Sequence, residues 1–162
     1  MKRSALIDTG PLVLLAVGLF DIELIEKHKK TNNFGMYGKY VFAWLVDQLS
    51  SCEDVWVTSH VLAESSNHLD FSGNTDSKQL LGTLSDFIIS KGVKESNISF
   101  AELVKNLNFS KLGVADTGVL MKSRRITSTY TSDMALHIKM GSIGCQSFNL
   151  THVFEDFRLR KI

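Results

Sequence analysis

A three-layer α/β/α fold around a mostly parallel sheet is what this chain predicts. Short apolar or β-branched runs alternate with longer amphipathic stretches from one end of the 162 residues to the other, and that alternation is the mark of strands joined by helical crossovers. Nothing along the chain divides it: no linker, low-complexity tract or repeat interrupts the alternation. The length suits one domain with a substantial core, so a single domain over residues 1–162 is expected.

The elements follow in order. Ser4-Ala5-Leu6-Ile7 is an apolar run closed by Asp8-Thr9-Gly10-Pro11, which reads as a buried strand, a turn and a helix start. The single proline falls in the first helical turn, where its missing N–H costs nothing. The helix should run over 11–16 and break at Gly18, then resume over 21–30 and end in Lys27, Lys29 and Lys30, charges suited to a helix C-terminus. Residues 31–38 read as a loop. Residues 40–49 carry Val41, Leu45 and Leu49 at fourfold spacing and predict a helix; its apolar face is also a candidate surface for a homodimer.

Residues 54–59 form the second strand candidate, β-branched and aromatic ahead of a Thr/Ser pair able to cap a helix over 60–69. Residues 70–75 read as a polar loop, and 76–90 as an amphipathic helix with Leu80, Leu81, Leu84, Phe87 and Ile88 inward. A weak strand over 93–97 and a helix over 100–107 follow. Leu112-Gly113-Val114-Ala115 leads into a helix from Asp116 through Lys122; residues 126–130 are β-rich, Thr131-Ser132-Asp133 caps a helix ending at Gly141, and 143–148 is a last strand.

Composition sets bounds. Eighteen Lys+Arg against seventeen Asp+Glu give a formal charge of +1 and a pI near 7.8, so no global field favours a polyanion and any nucleic-acid contact must come from local patches. Cys52 and Cys145 fit no zinc-type spacing, and a reduced, cytoplasmic protein is expected. Asp8 interrupts the apolar N-terminal run, and the stretch 11–20 is too short to span a bilayer, so no targeting or membrane segment is expected.

Four acids stand at element junctions: Asp8, Glu64, Asp116 and Asp133. In a parallel sheet ligands sit beyond the carboxyl ends of the strands, and carboxylates converging there offer the oxygen ligands that hard divalent cations prefer. Convergence without a cation raises each carboxylate's pKa, so a shared site implies Mg²⁺ or Mn²⁺. Asp8, Asp116 and Asp133 each have a plainer role as a helix cap. Glu64, between Val61, Leu62 and Leu69, is expected near the core, where an unpaired carboxylate is costly.

Leu6-Ile7-Asp8-Thr9-Gly10-Pro11-Leu12, Ser59-His60-Val61-Leu62-Ala63-Glu64, Val114-Ala115-Asp116-Thr117 and Thr131-Ser132-Asp133 together resemble the ordered acidic motifs of PIN-domain nucleases. The resemblance runs nearly end to end. It implies a parallel sheet flanked by helices, carboxylates binding one or two divalent ions, and hydrolysis of RNA phosphodiesters by a metal-activated water. Asp8, Glu64, Asp116 and Asp133 would be both catalytic and metal-binding, with Thr9 and Thr131 orienting carboxylates or water. Many small members are toxins of toxin–antitoxin pairs, so an antitoxin partner and a homodimer are implied partners beside RNA. The stretches 31–39 and 70–99 are longer than in the compact toxins.

Candidate phosphate contacts are Lys122, Arg124 and Arg125, then Lys139, Arg158, Arg160 and Lys161, with solvated charge as the plain alternative. His60 and His68 lie eight residues apart without an HExxH, against zinc; His137 follows Asp133 by one helical turn. Trp44 suits either a base stack or the core. The competing function is a PIN-like module that binds RNA or protein and cuts nothing. A dehalogenase-type phosphatase would want a second Asp where Gly10 stands.

Overall fold

Apolar side chains on both faces of Ser4–Ile7 suit a strand covered from both sides, and this segment, β1, is the central strand of the computed structural model, which describes residues 3–70 and 76–160. β2 (Asp54–Thr58), β3 (Lys94–Ser96), β4 (Ser128–Thr131) and β5 (Ser147–Asn149) complete one sheet in the order β3-β2-β1-β4-β5. Every pairing is parallel; Ala5, for example, lies opposite Val55 on one side and Ser128 on the other. Helices flank both faces, giving the three-layer α/β/α architecture.

The helices are α1 (Thr9–Phe20), α2 (Gly38–Ser50), α3 (Ser59–Leu69), α4 (Asp76–Lys91), α5 (Phe100–Leu103), α6 (Phe109–Ser123), α7 (Met134–Ser142) and α8 (Leu150–Arg160). α1 is apolar all round and buried from Pro11 through Gly18, as a helix inside the core must be; each fully buried leucine there contributes roughly 2 kcal/mol. Gly18 does not break it. A Cβ at that position would clash with the Phe42 ring, so the glycine is what lets α1 and α2 approach.

Several expectations change. Residues 21–30 hold only a 3-10 turn (Ile22–Glu26), capped by Asp21, and the expected loop at 31–38 holds a second one, Asn32–Tyr37. The helix expected over 100–107 shrinks to α5, started by a Ser99/Glu102 capping box. α6 begins earlier than expected, at Phe109, and kinks at Gly113, whose φ of 78° favours glycine. α7 passes through Gly141, and α8 has no counterpart in the sequence reading. Most of the expected loop at 70–75 lies outside the described residues.

α2 buries Val41, Leu45 and Leu49 in its own core. Phe42 packs against that core, and Trp44 lies edge-on to Tyr130 and Phe148 at 5.9 and 5.8 Å. The apolar face considered for a homodimer is therefore used within the chain. Among the described residues no helix is long and apolar enough to cross a membrane.

Candidate functional site

From β1 the chain crosses to β2 on one side and later returns to β4 on the other, so the switch point of the sheet lies between the carboxyl ends of β1 and β4. Asp8 is the residue that leaves β1 there. Its N–H still donates to the Tyr130 carbonyl at 3.0 Å, which holds the backbone against β4. Its side chain is the N-cap of α1: Oδ1 accepts from the Thr9 N–H at 2.7 Å, and Oδ2 accepts from the Thr131 hydroxyl at 2.6 Å. The Thr131 oxygen accepts in turn from the Asp133 N–H at 2.9 Å, and Asp133 caps α7 by accepting from the Leu136 N–H at 2.7 Å. Capping and cavity lining are thus combined in the same side chains.

Glu64 reaches the site from α3, where Oε2 accepts from the Thr9 hydroxyl at 3.0 Å. It is not near the core, as its apolar neighbours suggested. The buried stripe of α3 is Val61, Ser65 and Leu69, and the Glu64 side chain is 46% exposed on the flank beside it. The cost of a buried carboxylate falls on Asp8 instead, which is 4% exposed. Asp116 also departs from expectation: it follows no strand and caps no helix, but stands in the first turn of α6 beyond the Gly113 kink.

All four carboxylates line one cavity of about 330 Å³, together with Thr9, Lys30, His68 and Ser132. A neighbouring cavity of about 450 Å³ shares Glu64 and Asp116 and adds His60 and Asn67. The electrostatics report the crowding. Burial pushes the Asp8 carboxyl up from 3.8 to about 6 against the opposing hydrogen bonds from Thr131 and Thr9, and the Glu64 and Asp133 charges add to the rise. Asp116 rises to about 7, through burial first and then the charges of Asp8, Asp133 and Glu64.

Lys30 and His68 were not read from the sequence as site residues. Lys30 comes back to the cavity because the segment after α1 folds into tight turns rather than a straight helix. His68 sits one helical turn beyond Glu64, with Nε2 3.7 Å from Glu64 Oε1, and the i,i+4 spacing was its available signal. Burial, Lys30 and Glu64 act on it, with a net lowering of its pKa.

Lys122, Arg124 and Arg125 do not join the site. Lys122 Nζ lies 3.5 Å over the Trp56 ring. The chain after Arg125 enters the sheet at Thr127, whose N–H donates to the Ser4 hydroxyl at 3.0 Å, at the start of β1 and so at the sheet edge opposite Asp8. His137 also points elsewhere, with Nδ1 2.8 Å from the Ser147 hydroxyl. Lys161 lies outside the described residues.

No family model, curated protein or solved structure matches this chain. The resemblance to PIN-domain nucleases therefore rests on the sequence motifs alone.

The donor set can be judged against a metal on its chemistry. Carboxylate oxygens from four segments, with threonine hydroxyls behind them, suit a hard divalent ion, and a cation would relieve the mutual repulsion that raises Asp8 and Asp116. Among the described residues no group of three or more His, Cys, Asp and Glu side chains is arranged to hold an ion as it stands. The fit lies in donor type and charge.

Proposed function

We propose that this chain is a divalent-metal-dependent ribonuclease of the PIN type, hydrolysing RNA phosphodiester bonds. The observation that carries the reading is the convergence of Asp8, Glu64, Asp116 and Asp133 on one cavity at the switch point of the sheet. A buried carboxylate with a raised pKa is costly to keep unless it has work to do.

Asp8, Glu64, Asp116 and Asp133 would hold the ion through carboxylate oxygens. When bound, Mg²⁺ or Mn²⁺ supplies a water of lowered pKa as nucleophile and takes up charge on the phosphate. Thr131 fixes the Asp8 carboxylate from one side and the Thr9 N–H from the other, so its orientation is set before any ligand arrives. The Thr9 hydroxyl does the same for Glu64, whose exposed side chain opens the cavity to solvent. Lys30, the lysine lining this cavity, would meet a substrate phosphate. The free thiols of Cys52 and Cys145 suit a reducing cytoplasm, where an antitoxin would be the partner if the chain is a toxin.

The test is direct. Purified protein is incubated with single-stranded and structured RNA and Mg²⁺ or Mn²⁺; cleavage is expected, lost in EDTA and reduced by orders of magnitude in Asp8→Asn and Asp116→Asn. Cleavage that survives EDTA or either substitution removes the reading. RNA bound equally by wild type and variants, with no cleavage in any, makes the chain a binding module instead.

A further inference from the structure

A second cavity, of about 320 Å³, opens beside β5, between α7, α8 and α2. That volume is at the lower end of small-ligand pockets, enough for one planar ring system and its sugar rather than an extended ligand. Trp44 and Phe148 give it an aromatic wall, their rings 5.8 Å apart at 65°. Its polar groups include one unmatched donor. Asn149 is 2% exposed, and its Oδ1 accepts from the Thr151 N–H at 2.8 Å, but its Nδ2 has no hydrogen-bond partner. A buried amide donor without an acceptor is costly. A ligand that brings a carbonyl or ring-nitrogen acceptor would satisfy it.

The remaining chemistry narrows the class. Asp156 provides an acceptor for an exocyclic amino group, and exposed Arg160 a cation for a phosphate. Donor, acceptor, aromatic wall and cation in one small cavity match a nucleobase with its 5′-phosphate. The position matters as well. Asn149 is the register partner of Thr131, the residue whose hydroxyl holds Asp8, so the pocket lies at the same sheet edge as the acids, roughly 10 Å from Asp8 at two strand spacings.

We infer that this pocket takes one unpaired nucleobase of the RNA strand whose phosphate lies on the acidic cavity. The identity of the strand rests on the ribonuclease reading; the base pocket itself does not. Such a base must be free to leave the stack, since a base held in a duplex cannot enter the pocket.

The chain has two tryptophans, so Trp56→Phe leaves Trp44 as the reporter. With EDTA present, each of the four 5′-ribonucleoside monophosphates is titrated while Trp44 fluorescence is followed. A saturable quench is expected for at least one base, and none with ribose 5-phosphate. Asn149→Asp keeps the acceptor for Thr151 but removes the donor, and should weaken binding about tenfold or more. Arg160→Ala, at an exposed position where folding is not at risk, should weaken the monophosphate several-fold and leave the nucleoside unchanged. No saturable quench, an equal quench by ribose 5-phosphate, or wild-type affinity in Arg160→Ala overturns the inference.

A short single-stranded oligonucleotide should displace the mononucleotide; failure to displace it overturns the placement of the strand and leaves a pocket for free nucleotide. The two readings also separate. Nucleotide binding with no RNA cleavage removes the nuclease and keeps the pocket, whereas RNA cleavage without nucleotide binding removes the pocket alone.

Discussion

Replacing Asp8 by Asn should stabilise the protein at neutral pH and, in the nuclease reading, abolish cleavage. Asp8 is 4% exposed, and its carboxyl is raised from 3.8 to about 6, by burial before anything else. The folded state therefore holds the proton more tightly than the unfolded chain. Its favourable contribution is present below about pH 4 and is lost as pH rises through about 6. A rise of about 2 units at about 1.4 kcal/mol each makes the loss about 3 kcal/mol. Asparagine keeps an oxygen for the Thr9 N–H and caps a helix about as well as aspartate, but must rebuild its contact with the Thr131 hydroxyl. A net gain of about 1–3 kcal/mol at pH 8 follows, shrinking toward zero near pH 4. Urea unfolding of wild type and Asp8→Asn in EDTA at both pH values measures it; a gain of this size would raise Tm by roughly 2–4 °C per kcal/mol. If Asp8→Asn is less stable than wild type at pH 8, or if the difference does not change with pH, Asp8 is a simple cap and carries no charge penalty.

Mg²⁺ or Mn²⁺ should raise the wild-type Tm in a saturable way, by about 2.7 kcal/mol of stability at a hundred times Kd, and a thermal titration of Asp8→Asn should show the rise lost. Thr131→Val removes the donor to Asp8 and the acceptor for the Asp133 N–H; it should cost about 1–3 kcal/mol in urea and move the pH-dependent loss of stability higher, because a bond that lowers the Asp8 pKa is gone. Gly18→Ala drives a methyl into the Phe42 ring and should cost about 1–3 kcal/mol by chemical denaturation, whereas a stabilised variant would mean that α1 and α2 slide apart freely. Lys122→Ala loses a cation–π contact with Trp56, worth about 0.5–1 kcal/mol; in the nuclease reading RNA cleavage rates should not change, since the residue is remote from the acids.

What the sequence made legible was local. β1, β2 and β4 announce themselves through apolar, aromatic or β-branched runs, and Asp8 and Asp133 through capping positions just after them. What it hid depends on distant partners. Gly18 reads as a helix breaker until Phe42, from another helix, is placed against it. α8 carries too mixed a pattern to stand out, yet its Phe154 and Phe157 pack on Phe34, Tyr37 and Tyr40, more than a hundred residues earlier. The basic residues show the same effect in reverse. Lys122 is near Asp116 in sequence, but six helical residues carry it about 9 Å away, down a helix that runs toward the opposite sheet edge.

Lys30, far from every acid in sequence, returns to the cavity through turns that no local pattern encodes. The consequence reaches the chemistry. With Lys122, Arg124 and Arg125 withdrawn, four carboxylates face a single lysine among the residues lining this cavity, so the local field repels a phosphate and attracts a cation. In the nuclease reading the divalent ion thus has a role before catalysis begins. It must neutralise the cavity before an RNA strand can settle there, and its binding is coupled to the ionisation of the buried Asp8 that the fold otherwise resists.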